Sequence, residues 1–200
     1  MQGVRKLVMA GVIGAAALSS APASASLIDF TDATPWAGAN GQTSFTSGEV
    51  TLSRNLGRLT FNDPTCGNNT VGLACEGDGI GISSWFDLFG GTGDEINGLE
   101  ILMLTFASAV NIVDVHLLDV FGGEKAQLSI DRGETWTVFD GAGKPGGYTE
   151  TGFSANNVTS LWLASVSNSA SLARIATVPE PGTLALLGVS LLGIGIARRR

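Results

Sequence analysis

The chain has 200 residues, 18 of them acidic and 11 basic, with a formal net charge of −7. Most of its acids lie between the two ends, so that residues 26–177 hold 17 acidic and 6 basic side chains and a net charge near −11. This balance argues against nucleic acid as a partner, because binding to phosphates needs clustered Lys and Arg. It leaves carboxylates available for divalent cations.

The first segment has the pattern of a secretory signal peptide. Arg5 and Lys6 give it a positive start, residues 7–18 are apolar, and Ala23 and Ala25 form an A-x-A cleavage site. The apolar run is too short for a membrane-spanning helix. We therefore predict that residues 1–25 direct export through the secretion translocon and that signal peptidase cuts after Ala25.

The next segment, 26–177, is long enough for one domain with its own core. Helix signals are nearly absent, and short apolar stretches alternate with Gly, Asn and Asp, which is typical of an all-β sandwich or barrel. The predicted strands are 27–30, 43–52, 58–61, 79–85, 100–106, 112–120, 126–130, 135–139, 148–153, 158–166 and 171–176.

The two cysteines of the chain, Cys66 and Cys75, lie close together in sequence. In an exported protein such a pair predicts a disulfide, which would close a small loop. The alternative is a metal site, which two cysteines without a neighbouring histidine would serve poorly.

Glycine-rich loops between the predicted strands carry the densest group of acids, namely Asp78, Asp94, Glu95 and Glu100. Calcium takes six to eight oxygen ligands from loops of this kind, so these residues are candidate calcium ligands. Asp119 is a possible further ligand or a loop-capping acid. The alternative is a set of solvated carboxylates, since no EF-hand or repeated calcium motif is present.

Alternation predicts the faces of the strand at 112–120. Val113, Val115 and Leu117 alternate with Asp114 and His116, which predicts one buried and one solvated face. His116 is the one histidine of the chain, and no nucleophile elbow or zinc motif accompanies it. We therefore predict no catalytic residue and no enzyme.

The tryptophans are candidates for stacking on sugar rings. Trp36 follows Pro35 in a predicted loop and Trp85 lies beside Phe86, so these two are the candidate ligand-stacking residues, although packing is favoured for both. Trp136 and Trp162 lie in predicted strands, where packing in the core is expected.

The hairpin that follows Ala126 carries a recognisable turn, with Ser129, Asp131, Gly133 and Trp136 in the spacing S-x-D-x-G-x-x-W. This spacing resembles the Asp-box turn of sialidase propellers and the hairpin of discoidin-like and carbohydrate-binding jelly rolls. The propeller reading lacks the repeats it requires. The resemblance implies a structural turn, and the predicted fold is a single jelly-roll-like β-sandwich at 26–177.

The chain closes with a short sequence, an uncharged run of 15 residues at 183–197, and a basic end. The run would form about 22 Å of helix at about 1.5 Å per residue, which is short for a permanent membrane span. The short sequence is Val178, Pro179, Glu180, Pro181, Gly182 and Thr183, and the basic end is Arg198, Arg199 and Arg200.

This order resembles the PEP-CTERM sorting tail, 178–200, of proteins that exosortases process in Gram-negative bacteria. The resemblance implies cleavage near the Pro-Glu-Pro sequence by an exosortase. The arginines favour a cytoplasmic C-terminus. The chain would thus be anchored transiently in the inner membrane and then reach the cell surface or the extracellular space.

Three roles follow for the domain between the two signals. A structural or adhesive role in biofilm or exopolysaccharide is the leading hypothesis. The second is a carbohydrate-binding module, with or without calcium, whose partner would be an extracellular polysaccharide. The third is a glycan hydrolase, which needs two facing carboxylates that the sequence does not single out.

Overall fold

The computed structural model describes residues 25–61, 73–74, 79–83 and 95–179. Most of them lie in antiparallel strands. In chain order, β1 to β12 are Ser26–Asp29, Ser44–Ser47, Val50–Arg54, Arg58–Thr60, Gly81–Ser83, Ile96–Asn97, Ile101–Leu118, Lys125–Ser129, Thr137–Asp140, Thr149–Glu150, Ala155–Ser167 and Ser169–Pro179. One short helix, α1 (Ala33–Trp36), follows β1.

The longest strand, β7, organises the sheet. Its 18 residues pair along one edge with β11 and β10, and along the other edge with β3 followed by β12. The main path of the ten-stranded sheet is β1-β12-β7-β11-β8-β9, with β2 and β3 joined to β7 at its first half. β4 and β5 form a separate hairpin-like pair.

A bulge in β7 separates its two halves. On the β11 edge, Ser160 pairs with Thr105 and Val158 pairs with Val110, so five steps along β7 face two steps along β11. On the other edge, β3 pairs as far as Phe106 and β12 pairs from Val110 onward. Extra residues of this kind bend and twist a strand. The bulge is therefore the place where β7 changes partner from β3 to β12 on one edge, while β11 continues past it on the other edge.

The larger of the two hydrophobic clusters in the described part of the chain contains side chains from both halves. It contains Leu52 and Leu104 from the β3 side and Val115, Leu117 and Ile175 from the β12 side, all fully buried. Burial of this apolar surface is the main favourable contribution to folding. The predicted all-β class is confirmed.

Several strand boundaries differ from prediction. The predicted strand 43–52 is two strands, β2 and β3, because Gly48 turns the chain with a φ of +57°. The predicted strands 100–106 and 112–120 are parts of one strand, β7. α1 was not expected; Asp32 caps it by accepting a hydrogen bond from the Thr34 amide at 2.9 Å.

The predicted buried face of the 112–120 segment is confirmed for Val115 and Leu117, which are fully buried, and is wrong for Val113. Ala176 pairs with Asp114 and Thr177 with Ile112, so Val113 is the extra residue and is 47% exposed. The bulge lets Ile112 and Val115 both point into the core, although they are three residues apart. A single inserted residue reverses the faces that a period of two predicts.

The two targeting segments lie largely outside the described residues. This holds for the signal segment up to residue 24 and for the tail from residue 180, including the predicted helix at 183–197. Within the described ranges, no helix is long and apolar enough to cross a membrane.

Candidate functional site

The sorting sequence begins inside the sheet. Val178 and Pro179 are the last residues of β12, paired with Asn111 and Val110 of β7. Both residues have an extended backbone and form the end of a paired strand.

The first strand lies beside this end. β1 pairs with β12 so that Ser26 faces Thr177. The predicted signal-cleavage residue Ala25 is exposed and directly precedes this pair. The start of the domain and its sorting end therefore meet at one edge of the sheet.

A cleft of about 840 Å³ opens next to the same edge. β1, the β2–β3 turn, the β7 bulge and Thr177 line it, and its acids are Asp29, Asp32 and Glu49. The Asp29 carboxylate stabilises the fold, since it accepts hydrogen bonds from Thr31 and, at 2.8 Å, from the Ala74 amide. The Asp32 carboxylate caps α1.

A row of charged side chains crosses four neighbouring strands. Pairing places Glu150 of β10 beside His116 of β7, His116 beside Arg174 of β12, and Arg174 beside Asp29 of β1. Arg174 lies 3.7 Å from the Asp29 carboxylate. The basic groups thus lie between two acids, which offsets the cost of burying them.

His116 is part of this network and not a solvated residue as predicted. Its side chain is 13% exposed, and its Nε2 lies 3.1 Å from Asp114 Oδ2. Its Nδ1 is hydrogen-bonded to the hydroxyl oxygen of Tyr148, and the Tyr148 O–H donates to Glu150 Oε1 at 3.4 Å. These contacts join the four side chains in one network. Sequence reasoning missed it because Tyr148 and Glu150 reach His116 through strand pairing.

Tyr148 has a raised pKa of about 12. Burial is the main cause, because it disfavours the phenolate, and the charge of Glu150 adds to it, whereas Arg174 opposes it. The phenol therefore stays protonated and acts as a hydrogen-bond donor in the network.

A second surface is the outward side of β2, β3, the first half of β7, β11, β8 and β9, which we call the outer face. One row across it runs Ser44, Ser53, Met103, Trp162 and Ser129. A second row runs Thr46, Thr51, Thr105 and Ser160. A third runs Ile101, Ala164, Gln127 and Val138. No residue of the three rows is charged.

The Asp-box turn borders the outer face, and its structural role is confirmed. Asp131 Oδ1 accepts hydrogen bonds from Ser129 Oγ at 2.6 Å and from the Thr135 amide at 2.9 Å. Gly133, with a φ of +85°, lies against two indoles, since a Cβ there would come within 3.2 Å of Trp136 and 3.3 Å of Trp162. The turn therefore fixes where these two rings sit.

Of the two roles open to Trp36, packing is the one that the structure shows. Trp36 is 3% exposed, its ring centroid lies 4.8 Å from that of Phe30, and its Nε1 donates to the Asp29 carbonyl at 2.9 Å. It belongs to the core and cannot stack on a ligand. Trp136 and Trp162, expected in the core, are half-buried at the outer face. Trp85 lies outside the described residues.

The predicted calcium ligands are only partly described. Glu100 is buried and accepts a hydrogen bond from the Asn97 amide at 2.8 Å, so it closes the turn before β7. Glu95 is half-buried, and its carbonyl accepts from the Asn97 side chain. Asp119 accepts from Ser171 Oγ at 2.8 Å. Asp78 and Asp94 lie outside the described residues.

Among the residues that the structure describes, no group of three or more His, Cys, Asp or Glu could hold a metal ion. Calcium binding stays a prediction. Cys66 and Cys75 also lie outside the described residues, so the disulfide stays a prediction too.

Comparison with known families bears on the tail. Residues 177–200 match the family model of the PEP-CTERM protein-sorting motif, which confirms the resemblance of the C-terminal segment. The motif implies an exported protein with a C-terminal sorting signal that an exosortase recognises. A comparison of the chain with curated proteins found no match.

Tyr148 is the single tyrosine, so its ionisation can be followed directly by phenolate absorbance. We expect a midpoint near pH 12 in the folded protein, against 10.0 for an ordinary tyrosine. Glu150→Gln should lower the midpoint, because it removes a charge that opposes the phenolate.

The same shift predicts how stability depends on pH. Since folding raises the pKa of Tyr148, its contribution to the free energy of unfolding is complete below pH 10 and is lost as pH rises towards 12. The free energy of unfolding of Tyr148→Phe, measured with denaturant, should lack this pH-dependent contribution. A native midpoint near 10 would contradict a phenol held inside the network.

The Asp131 carboxylate gives a second prediction, at acid pH. Hydrogen bonds from Ser129 and Thr135 lower its pKa from 3.8 to about 2, so its contribution to stability is complete above pH 3.8 and is lost as pH falls towards 2. At neutral pH, Asp131→Asn should therefore have a lower melting temperature than the native chain. The difference between the two melting temperatures should become smaller near pH 2.

Glu134→Gln is the matched control, because it removes one negative charge from the same exposed turn. If the difference in melting temperature between Asp131→Asn and the native chain did not change with pH, the carboxylate would not be the group that stabilises the turn.

Proposed function

We propose that this chain is an exported surface or extracellular-matrix protein, processed by an exosortase at its Pro-Glu-Pro tail. The observation that carries the proposal is the sorting motif at residues 177–200. The tail has the three parts that such processing requires in order, which are the motif, a short apolar segment and terminal arginines.

Export begins, on this proposal, with residues 1–25 acting as a signal peptide. Residues 183–197 then hold the chain transiently in the inner membrane, with the arginines on the cytoplasmic side. Cleavage near Pro179 removes this anchor, and the mature domain carries no membrane segment of its own.

The domain itself has, on this proposal, a structural or adhesive role in biofilm or exopolysaccharide, and it is not an enzyme. It is a jelly-roll-like sandwich, which the hydrophobic cluster shared by the two halves of the sheet supports. Asp29 and Asp32 at the cleft, and His116 and Arg174 in the charged row, support a non-catalytic role, because hydrogen bonds and ion pairs within the fold engage them.

Processing is tested by the intact mass of the protein recovered from cells with and without an active exosortase. We expect loss of residues 1–25 in both strains and loss of the tail near Pro179 only where the exosortase is active. Added mass on the trimmed C-terminus would indicate transfer to another molecule. A protein that keeps Arg200 in both strains would overturn the sorting proposal.

Because the end of β12 is paired with β7, we expect this pairing to limit the rate at which the exosortase cleaves the tail. A protease binds its substrate as an extended segment with free backbone groups, but Val178 and Pro179 are held against β7. A short Gly-Ser insertion between Thr177 and Val178 frees the motif from the sheet. We expect faster appearance of the trimmed form in a pulse-chase experiment.

The same insertion between Ala142 and Gly143, in an exposed loop, is the matched control and should leave the rate unchanged. Equal rates for the native chain and the Thr177–Val178 insertion would show that pairing of β12 does not limit access. This outcome would leave the sorting motif itself intact as a finding.

A further inference from the structure

The geometry of the outer face points to a binding site for a neutral polysaccharide, with the indole of Trp162 as its stacking surface. Hydroxyl groups of the neighbouring threonines, Thr46, Thr51 and Thr105, supply the hydrogen bonds. This inference deepens the adhesive role proposed above by naming a ligand class and a site, and it does not depend on how the tail is processed.

The position of Trp162 suits stacking. It lies in the interior of its row, paired with Met103 on one side and Ser129 on the other. Leu161 and Leu163, its neighbours in β11, are fully buried, so the indole must point to the opposite side, where it is half-buried. An aromatic face offers apolar contact area at small entropic cost, and the C–H faces of sugar rings can use it.

The surroundings of the indole suit a ligand rich in hydroxyl groups. The adjacent row supplies Thr46, Thr51 and Thr105, and hydroxyl groups can donate and accept at the same time. Thr46 and Thr51 are already positioned by a hydrogen bond of 2.9 Å between their Oγ1 atoms. Five strands at about 4.8 Å give the longest row a span of about 19 Å, enough for an extended chain to lie across it.

The absence of charge selects the kind of polymer. All three rows of the outer face are uncharged, although the segment 26–177 carries a net charge near −11. An anionic polymer would be repelled by the domain, and a cationic polymer would find no carboxylate within these rows. The nearest charged pair along β8 and β9, Lys125 and Asp140, is internally compensated. Of the three kinds of polymer, a neutral polysaccharide has the smallest cost in desolvation free energy when it binds this surface.

The surface is also preorganised. It lies on paired strands, and the turn around Asp131 and Gly133 holds the two indoles from one side. Sites on such rigid elements lose little conformational entropy when a ligand binds. This distinguishes Trp162 from Trp36, which is enclosed by the core.

Binding can be tested with the full-length chain in detergent, using cellulose as a neutral glucan and polygalacturonate as an anionic polysaccharide. We expect sedimentation with cellulose, little binding to polygalacturonate, and about tenfold or greater loss of cellulose affinity in Trp162→Ala. Thr105→Glu, at an exposed position beside the indole, should cause a comparable loss without disturbing the core.

Phe121→Ala is the matched control, because it removes a ring that is 46% exposed outside the three rows and should leave binding unchanged. Circular dichroism would establish that each variant is folded. Failure of the folded native chain to bind cellulose, or equal binding by Trp162→Ala and Thr105→Glu, would overturn the inference. So would preference for polygalacturonate, or self-association that Thr105→Glu abolishes. None of these results would alter the masses that test exosortase processing.

Discussion

The strand β7 needs hydrogen-bond partners along both of its edges, and this requirement determines how the other strands of the domain are arranged. Buried N–H and C=O groups must be paired, and β7 presents two edges of 18 residues each. No single neighbouring strand satisfies an edge of that length. β11 and β10 share one edge, and β3 and β12 share the other, with the bulge between Thr105 and Val110 at the change from β3 to β12. These pairings together place the sorting end, the charged row and the outer face.

The two surfaces that β7 creates have different chemistry. In its second half, β7 carries His116 and Asp114 into a network with Tyr148 and Arg174, where opposite charges and hydrogen bonds offset burial. In its first half, it carries Met103 and Thr105 on an outward face with no charge. Groups in the network are engaged by one another, whereas several residues of the outer face, such as Ser44, Thr46 and Thr105, are exposed. This contrast is why the outer face is the better candidate for a ligand.

Local patterns predicted the parts of the structure that depend on few residues. The all-β class, the turn at Asp131 and the sorting motif all follow from composition or short spacing. Trp162 could have been placed correctly as well, since two buried leucines flank it and a strand alternates its faces. The error was to count it with its apolar neighbours.

Other features depend on pairings between distant segments, which no local pattern contains. The faces of Val113 and Val115 depend on a one-residue bulge opposite β12. The burial of Trp36 depends on the carbonyl of Asp29 and the ring of Phe30, brought together by α1. The charged row requires the register of four strands at once, and a shift of one residue would disperse it.

The pairing of β1 with β12 has a consequence for the timing of folding. Ser26 and Thr177, which face each other, are 151 residues apart, so almost the whole chain must be synthesised before the edge of the sheet can form. Contacts of such sequence separation fold slowly, because loop closure precedes any gain from pairing. Until then, the backbone groups of β1 and of the β12-facing edge of β7 have no strand partner and are open to aggregation. Pairing of β12 thus closes this edge of the sheet, and the same step places the first residues of the sorting motif, Val178 and Pro179, against β7.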